Sequence, residues 1–144
     1  MSEFRFFHPI EVRYGDLDPQ GHLNNAKYLT YFETGRINYF VHLGLFTPGG
    51  SFMDIGVILA DARVTFHAPV EYGMPVKVGV RTSKLGNKSM TVEQSIVNTE
   101  TGEMLASGQV VLVAFDYHVN KSMPIPDVMR EKISKFEGLE IQQV

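Results

Sequence analysis

The sequence predicts an α+β fold in which a curved antiparallel five-stranded sheet wraps around one long central helix. Two observations predict it: one long apolar helical pattern, and five strand-like segments, one before that pattern and four after it. A helix that is apolar around much of its girth must be covered, and a curved sheet is an economical cover. We expect a single domain over residues 1–144, since this length is usual for one domain with one core.

The first strand is expected over residues 4–14, where aromatic and β-branched residues predominate and Ile10, Val12 and Tyr14 share one face. Turn-forming residues fill the next segment, 15–22, which therefore predicts a loop.

The central helix is expected over residues 26–43. Asn24 or Asn25 suits its N-cap, because an Asn side chain accepts hydrogen bonds from the free N–H groups of a first turn. Gly44 predicts its end, since glycine adopts the left-handed conformation that closes helices. The expected buried stripe comprises Tyr28, Phe32, Gly35, Tyr39 and Leu43, widened by Leu29, Arg36 and Phe40.

Four further strands are expected over residues 56–67, 75–85, 89–98 and 104–116, with a loop or short helical turn at 47–54 before them. Short turn signals join the last three, which therefore predict an antiparallel meander. Pro124 and Pro126 predict the start of a short terminal helix, where proline is tolerated. Its expected apolar face comprises Ile125, Val128, Met129, Ile133 and Phe136.

Composition excludes several classes of function. The formal net charge of -3 argues against a general nucleic-acid binder. The absence of cysteine excludes disulfides, thiolate nucleophiles and cysteine-ligated zinc, and we expect neither a metal site nor a cofactor. No signal peptide is recognisable, and no apolar run approaches the ~20 residues that span a bilayer. We therefore expect a cytoplasmic protein that makes no membrane contact.

The chemistry is expected between Val12 and Tyr28, where a carboxylate, a glycine and a helix N-terminus follow one another closely. Acyl transfer needs a carboxylate for attack or base catalysis and fixed N–H donors where negative charge develops. Asp18 supplies the carboxylate, and Gly21 permits close approach of a ligand to the backbone. From the residues alone, a turn-forming role is the stronger reading of Asp18 before Pro19.

Other polar residues of this region also have two readings. His22 is either a surface group or a group that positions a carbonyl or a water, because neutral imidazole both donates and accepts. Asp16 is expected to hold the loop, and Tyr28 belongs to the core or lines the pocket. Glu33 in the helix is expected to pair with Arg36 or with a cation of a partner subunit.

The stretch from Val12 to Tyr28 resembles the signature of the 4-hydroxybenzoyl-CoA thioesterase family of hot-dog proteins. The matching residues are Tyr14, Gly15, Asp16, Asp18, Gly21 and Tyr28. The resemblance covers nearly the whole chain and implies a hot-dog fold that hydrolyses an acyl-CoA substrate. It also implies a homodimer, or a homotetramer made of paired dimers.

The resemblance implies roles for individual residues. Asp18 is the catalytic carboxylate, as nucleophile or general base, and the main-chain N–H of Asn25 polarises the carbonyl. Lys88 and Ser89 contact CoA, while Gly86 and Asn87 stand where some relatives have arginine. His22 and the two asparagines are closer to the short-chain and long-chain acyl-CoA branch than to the aromatic-acyl prototype. A hot-dog that binds acyl-CoA or an acyl-carrier protein without hydrolysis is the alternative, and a purely structural dimer module is a third class.

Overall fold

The computed structural model describes residues 4–139, so the ends of the predicted domain, residues 1–3 and 140–144, lie outside the described residues. Single turns of 3-10 helix occupy Tyr14–Asp16 and Phe52–Asp54. The longer elements are, in chain order, β1 (Phe6–Ile10), α1 (Lys27–His42), β2 (Val57–Phe66), β3 (Val76–Leu85), β4 (Ser89–Asn98), β5 (Met104–Asp116), β6 (Lys121–Ser122) and α2 (Asp127–Glu137).

The predicted antiparallel sheet is confirmed. Its strand order is β1-β3-β4-β5-β2, and every pair of neighbours is antiparallel. The predicted meander is β3-β4-β5. The structure adds one short strand to the five predicted, since β6 pairs with the end of β5 through Phe115 and Asp116.

The central helix α1 is largely buried against the sheet, as predicted. Phe32 and Tyr39 are among the largest fully buried side chains. Gly35 lets the helix approach β3 closely, because a Cβ at this position would lie 2.6 Å from Cγ1 of Val78. The close approach explains why the stripe contains a glycine in mid-helix, where glycine otherwise costs stability.

The N-terminal cap of α1 differs from the prediction, whereas its C-terminal end agrees with it. Its N-cap is Ala26, so the predicted cap at Asn24 or Asn25 was wrong. The Asn24 side chain nevertheless accepts a hydrogen bond from the Ala26 N–H at 3.0 Å, which holds the turn before the helix. Gly44 has φ +76° directly after the C-cap Leu43, as predicted.

Three expected apolar positions face solvent instead. The first strand ends at Ile10 rather than at Tyr14, which instead begins a 3-10 turn and has a side chain that is 82% exposed. Leu29 on α1 and Val128 on α2 are also exposed, so the apolar stripes of both helices are narrower than predicted.

Among residues 4–139, no helix is both long and apolar enough to cross a membrane.

Candidate functional site

The loop between β1 and α1 is fixed onto the chain that follows β2. Leu17 and Leu23 form a bridge inside the loop, and the Leu23 N–H donates to the Val70 carbonyl at 2.7 Å. A second bridge joins His22 to Glu71. The loop therefore lies at the end of the sheet where β2 finishes.

Asp16 anchors the loop to α1. Its carboxylate is buried and accepts hydrogen bonds from the Arg13 backbone and guanidinium and from the Tyr31 hydroxyl, the last at 2.7 Å. Hydrogen bonding to Arg13 lowers the pKa of Asp16 to about 2. The contacts agree with the structural reading of Asp16.

Asp18 is half-buried, and its two carboxylate oxygens have different surroundings. Oδ1 accepts hydrogen bonds from the Gln20 N–H at 2.9 Å and the His22 N–H at 3.2 Å. Among residues 4–139, Oδ2 has no hydrogen-bond partner. The turn thus holds Asp18 through one oxygen and leaves the other available.

The backbone N–H of Asn25 is the corresponding available donor. The next N–H groups bond within the turn: Ala26 to the Asn24 side chain, Lys27 to the Asn24 carbonyl at 2.8 Å. For the Asn25 N–H, the described part of the chain provides no acceptor. An N–H at a helix start favours an oxyanion because the helix dipole adds partial positive charge.

Asp18, His22, Asn25 and Tyr28 line one cavity of about 390 Å³. Burial raises the pKa of the Tyr28 phenol, and the negative charge of Asp18 acts in the same direction. The structure therefore brings four of the seven predicted site residues onto one surface.

Phe66 and His67 line the same cavity, and sequence reasoning gave neither a role. His67 is held through its ring, with Nε2 2.8 Å from the Ser107 Oγ. Both residues lie at the end of β2, about forty positions from the loop, so no local motif links them to Asp18. The sequence feature that could have indicated Phe66 and His67 is Ala68-Pro69, which marks the end of β2. In the structure, that end lies beside the start of α1.

The other predicted site residues lie elsewhere. Gly21 is exposed in the loop with φ +81° and does not line the cavity. Lys88 and Ser89 lie at the opposite end of the sheet, because Ser89 pairs with Val113, which pairs with Ile58. Ile58 and Phe66 are eight residues apart on β2, about 26 Å along a strand.

Glu33 is exposed on α1, and no ion pair within 4.0 Å joins it to Arg36, so the expected internal pair is absent from the described residues. No cluster of three or more His, Asp or Glu side chains suited to a metal ion occurs between residues 4 and 139.

Comparison with known proteins finds relatives that are named as thioesterases. The family model of the Thioesterase-like superfamily matches residues 12–133. A thioesterase from Thermus thermophilus, solved in complex with coenzyme A and zinc, is 34% identical with a TM-score of 0.83 over 97% of this chain and 100% of its own. A predicted thioesterase from Bacillus stearothermophilus is 30% identical with a TM-score of 0.81, covering 96% and 98% of the two chains. The long-chain acyl-CoA thioesterase FadM of Escherichia coli K12 is 23% identical over 88% of this chain and 95% of its own.

Proposed function

The chain belongs to the thioesterase-like superfamily, and we propose that it hydrolyses the thioester of an acyl-CoA to a free acid and CoA. FadM is named for this activity on long-chain substrates, and the Thermus thermophilus relative binds coenzyme A. One observation in this chain carries the proposal. Asp18 Oδ2 and the Asn25 N–H, each without a partner among residues 4–139, belong to residues that line the same cavity.

In the proposed reaction, the thioester carbonyl oxygen accepts a hydrogen bond from the Asn25 N–H. That donor stabilises the negative charge that develops on this oxygen in the transition state. Asp18 acts through Oδ2, either by attacking the carbonyl carbon to form an anhydride or by taking a proton from an attacking water. In both routes the C–S bond breaks and CoA leaves as the thiolate, which takes up a proton. In the general-base route the attacking water supplies the acid's second oxygen. In the anhydride route water attacks the Asp18 carboxyl carbon, so the acid keeps the Asp18 oxygen and solvent oxygen enters Asp18.

The surrounding residues have supporting roles in this proposal. His22 fixes Asp18 through its backbone N–H and lines the cavity. In this proposal its imidazole positions the thioester carbonyl or a water. Tyr28 provides an apolar wall at the start of α1. Gly21 supports the site through the turn: its positive φ suits glycine, and its N–H donates to the Asp18 carbonyl at 3.0 Å.

The test is thiol release from a panel of acyl-CoA thioesters by wild type and by Asp18→Asn. Asparagine keeps an oxygen that accepts from Gln20 and His22 but has no negative charge. We expect a loss of about 10²-fold or more in kcat with the fold retained. Asp54→Asn is the matched control, since Asp54 is an exposed acid outside the cavity, and its activity should equal wild type. Equal rates for wild type and Asp18→Asn would exclude Asp18 as the catalyst.

The two routes for Asp18 are separable by one turnover in ¹⁸O-labelled water. Only nucleophilic attack leaves solvent oxygen in the Asp18 side chain, which mass spectrometry detects. The alternative function, binding of acyl-CoA or of an acyl-carrier protein without hydrolysis, predicts a thermal shift with acyl-CoA and no thiol release.

We further propose that two copies of the chain pair through the edge strand β2. Of the two edges, β1 is short and contains Pro9, which discourages pairing, whereas β2 has ten residues and no proline. Residues 58–63 of β2 are all exposed. A long exposed edge of this kind invites a second strand.

Charge favours one register for this pairing. Asp61 and Arg63 flank Ala62 on β2, and neither has an ion-pair partner among residues 4–139. If Ala62 of one copy pairs with Ala62 of the other in antiparallel fashion, Asp61 lies opposite Arg63 of the second copy, twice. Opposite charges directly across a sheet stabilise the pair, and like charges destabilise it.

This pairing also explains why Lys88 and Ser89 lie far from Asp18 in one chain. An antiparallel second copy brings its Ile58 end of β2, with the β3–β4 turn beside it, next to the Phe66 end of the first copy. We therefore propose that Lys88 and Ser89 contact CoA bound at the Asp18 cavity of the other copy.

The assembly is tested by the mass in solution, from light scattering after gel filtration. Wild type should give a dimer or a multiple of it. Asp61→Arg places arginine opposite arginine and should yield monomer, whereas the double change Asp61→Arg with Arg63→Asp should restore the assembly. A wild-type monomer, or an unchanged mass for Asp61→Arg, would contradict this register.

A further inference from the structure

A second cavity of about 470 Å³ lies between α1 and the first residues of β2, outside the Asp18 site. Its walls are mostly apolar. The lining includes Glu33, Arg36 and Phe40 of α1 and Val57, Ile58 and Leu59 of β2. The combination of aliphatic walls and one buried cation distinguishes this cavity from the Asp18 site.

The cation is Arg36, which is 8% exposed. Its Nη1 donates to the Gln94 side-chain oxygen at 3.0 Å, and the Gln94 amide donates to the Phe32 carbonyl at 2.8 Å. A guanidinium has five N–H donors. Within residues 4–139, this bond to Gln94 is the only hydrogen bond that the Arg36 side chain makes.

The charge of Arg36 has no counter-ion in the described part of the chain, since no carboxylate oxygen lies within 4.0 Å. Glu33, one turn earlier on α1, is exposed and acts on Arg36 only at longer range. Burial lowers the pKa of Arg36, yet a guanidinium stays protonated in proteins. A buried charge without a partner is costly, so the site favours an anion that completes it.

Both cavities take lining residues from α1 and from β2, so they lie one after the other along the same two elements. The Asp18 cavity includes Tyr28 and Phe66, while the second includes Arg36 and Leu59. From Tyr28 to Arg36 is eight residues, about 12 Å along the helix axis. An extended acyl chain that starts at Asp18 and runs along α1 would cover this distance to Arg36.

We propose that the second cavity receives the distal end of the acyl chain and that Arg36 binds a carboxylate there. The preferred substrates are then ω-carboxyacyl-CoA thioesters, whose apolar middle fits the aliphatic walls and whose terminal carboxylate neutralises the guanidinium. The geometry suits a carboxylate, since a guanidinium binds its two oxygens through parallel N–H bonds. This inference rests on the proposed function for its substrate, although binding at Arg36 is measurable without turnover.

The first test compares dodecanoyl-CoA with the mono-CoA thioester of dodecanedioic acid. For wild type, we expect kcat/KM to favour the carboxylated substrate by roughly tenfold, the value of one charge-assisted contact. In Arg36→Met, this ratio should fall to one or below. Arg81→Met is the control, because Arg81 pairs with Glu93 outside both cavities, and its ratio should match wild type. A wild-type ratio of one, or a preference for dodecanoyl-CoA, would overturn the inference.

A second test is independent of hydrolysis and of the folding of Arg36→Met. Wild type and Arg36→Lys are titrated with S-dodecyl-CoA and with S-(11-carboxyundecyl)-CoA, two non-hydrolysable thioethers that differ in the terminal carboxylate, and binding is followed by calorimetry. We expect tighter binding of the carboxylated thioether by wild type and a smaller difference in Arg36→Lys, whose ammonium lacks the planar fork. Equal affinities in wild type contradict the inference. Preferential binding of the carboxylated thioether without release of thiol from either thioester would support the Arg36 site and reject the thioesterase proposal.

Discussion

Tyr28 and Phe66 meet edge to face with their ring centroids 4.7 Å apart, on the wall of the cavity that contains Asp18. The contact joins the first turn of α1 to the last residue of β2. Tyr28 is buried, while Phe66 is 51% exposed, so one ring belongs to the core and the other to the entrance.

Phe66→Ala should therefore weaken substrate binding more than it weakens the fold. We expect KM for a long-chain acyl-CoA to rise about tenfold, because roughly 1–2 kcal/mol of apolar contact is lost. The unfolding free energy should fall by less, since half of the ring is already solvated. Tyr72→Ala is the matched control: Tyr72 is 63% exposed and lines neither cavity, so its KM should equal wild type.

Asp16 should make stability depend on pH in the acid range. Its pKa is about 2 in the folded chain and about 3.9 in an unfolded chain, so its contribution is present above pH ~4 and disappears as pH falls toward 2. Asp16→Asn should lower the unfolding free energy at neutral pH by roughly 1–2 kcal/mol. Urea unfolding at several pH values measures this.

Two comparisons sharpen the Asp16 prediction. The difference between wild type and Asp16→Asn should shrink below pH ~4, where Asp16 begins to protonate in the unfolded chain. Tyr31→Phe should lose part of the same stability, because the Tyr31 hydroxyl donates to Asp16. A wild-type to Asp16→Asn difference that is constant from neutral pH to pH ~2 would contradict the assigned pKa.

Gly35→Ala should destabilise the chain although alanine is the better helix former. The added methyl would lie 2.6 Å from Val78 Cγ1 and 3.2 Å from Val80 Cγ2, so α1 must shift away from β3. We expect a cost of roughly 1–3 kcal/mol in thermal or urea unfolding. Gly15→Ala is the control, since nothing lies within 4 Å of its added methyl; a similar loss there would remove the steric explanation.

Glu137 should stabilise the docking of α2 onto the rest of the molecule. Its Oε2 accepts hydrogen bonds from the Tyr39 hydroxyl at 2.5 Å and from the Thr82 N–H at 2.9 Å. Glu137→Gln replaces a charge-assisted acceptor by a neutral one and should cost about 1 kcal/mol in urea unfolding. Glu131→Gln on the same helix changes an exposed acid and should be neutral; equal effects would show that only net charge matters.

Local patterns sufficed for the four later strands because their determinants are local, whereas the first strand ends at Ile10, four residues earlier than predicted. The bounds of β4 and β5 agree with the prediction to the residue, since alternation and the Gly-Asn and Thr-Gly turn signals mark each end. The start of α1 was harder. Two adjacent asparagines offered competing caps, and the chain uses one of them to hold the turn before the helix.

The site residues also fall into two groups: those that a local motif indicates and those that only the fold brings together. Asp18, His22, Asn25 and Tyr28 follow one another in sequence, so one motif indicated all four. Phe66 and His67 reach the cavity only because β2 ends beside the loop, and no pattern in a single sequence encodes that contact. Arg36 was expected on the buried stripe of α1 and is buried there, but the sequence did not show that it has no ion-pair partner among residues 4–139.

The separation of Asp18 from Lys88 along the sheet has a genetic consequence under the proposed assembly. Two defective alleles, one lacking the carboxylate and the other lacking the lysine, would complement each other when co-expressed. A mixed pair contains one intact centre, made of the sound Asp18 of one subunit and the sound Lys88 of the other, and one centre that carries both defects. Thioesterase activity would therefore return on co-expression, although neither variant is active alone.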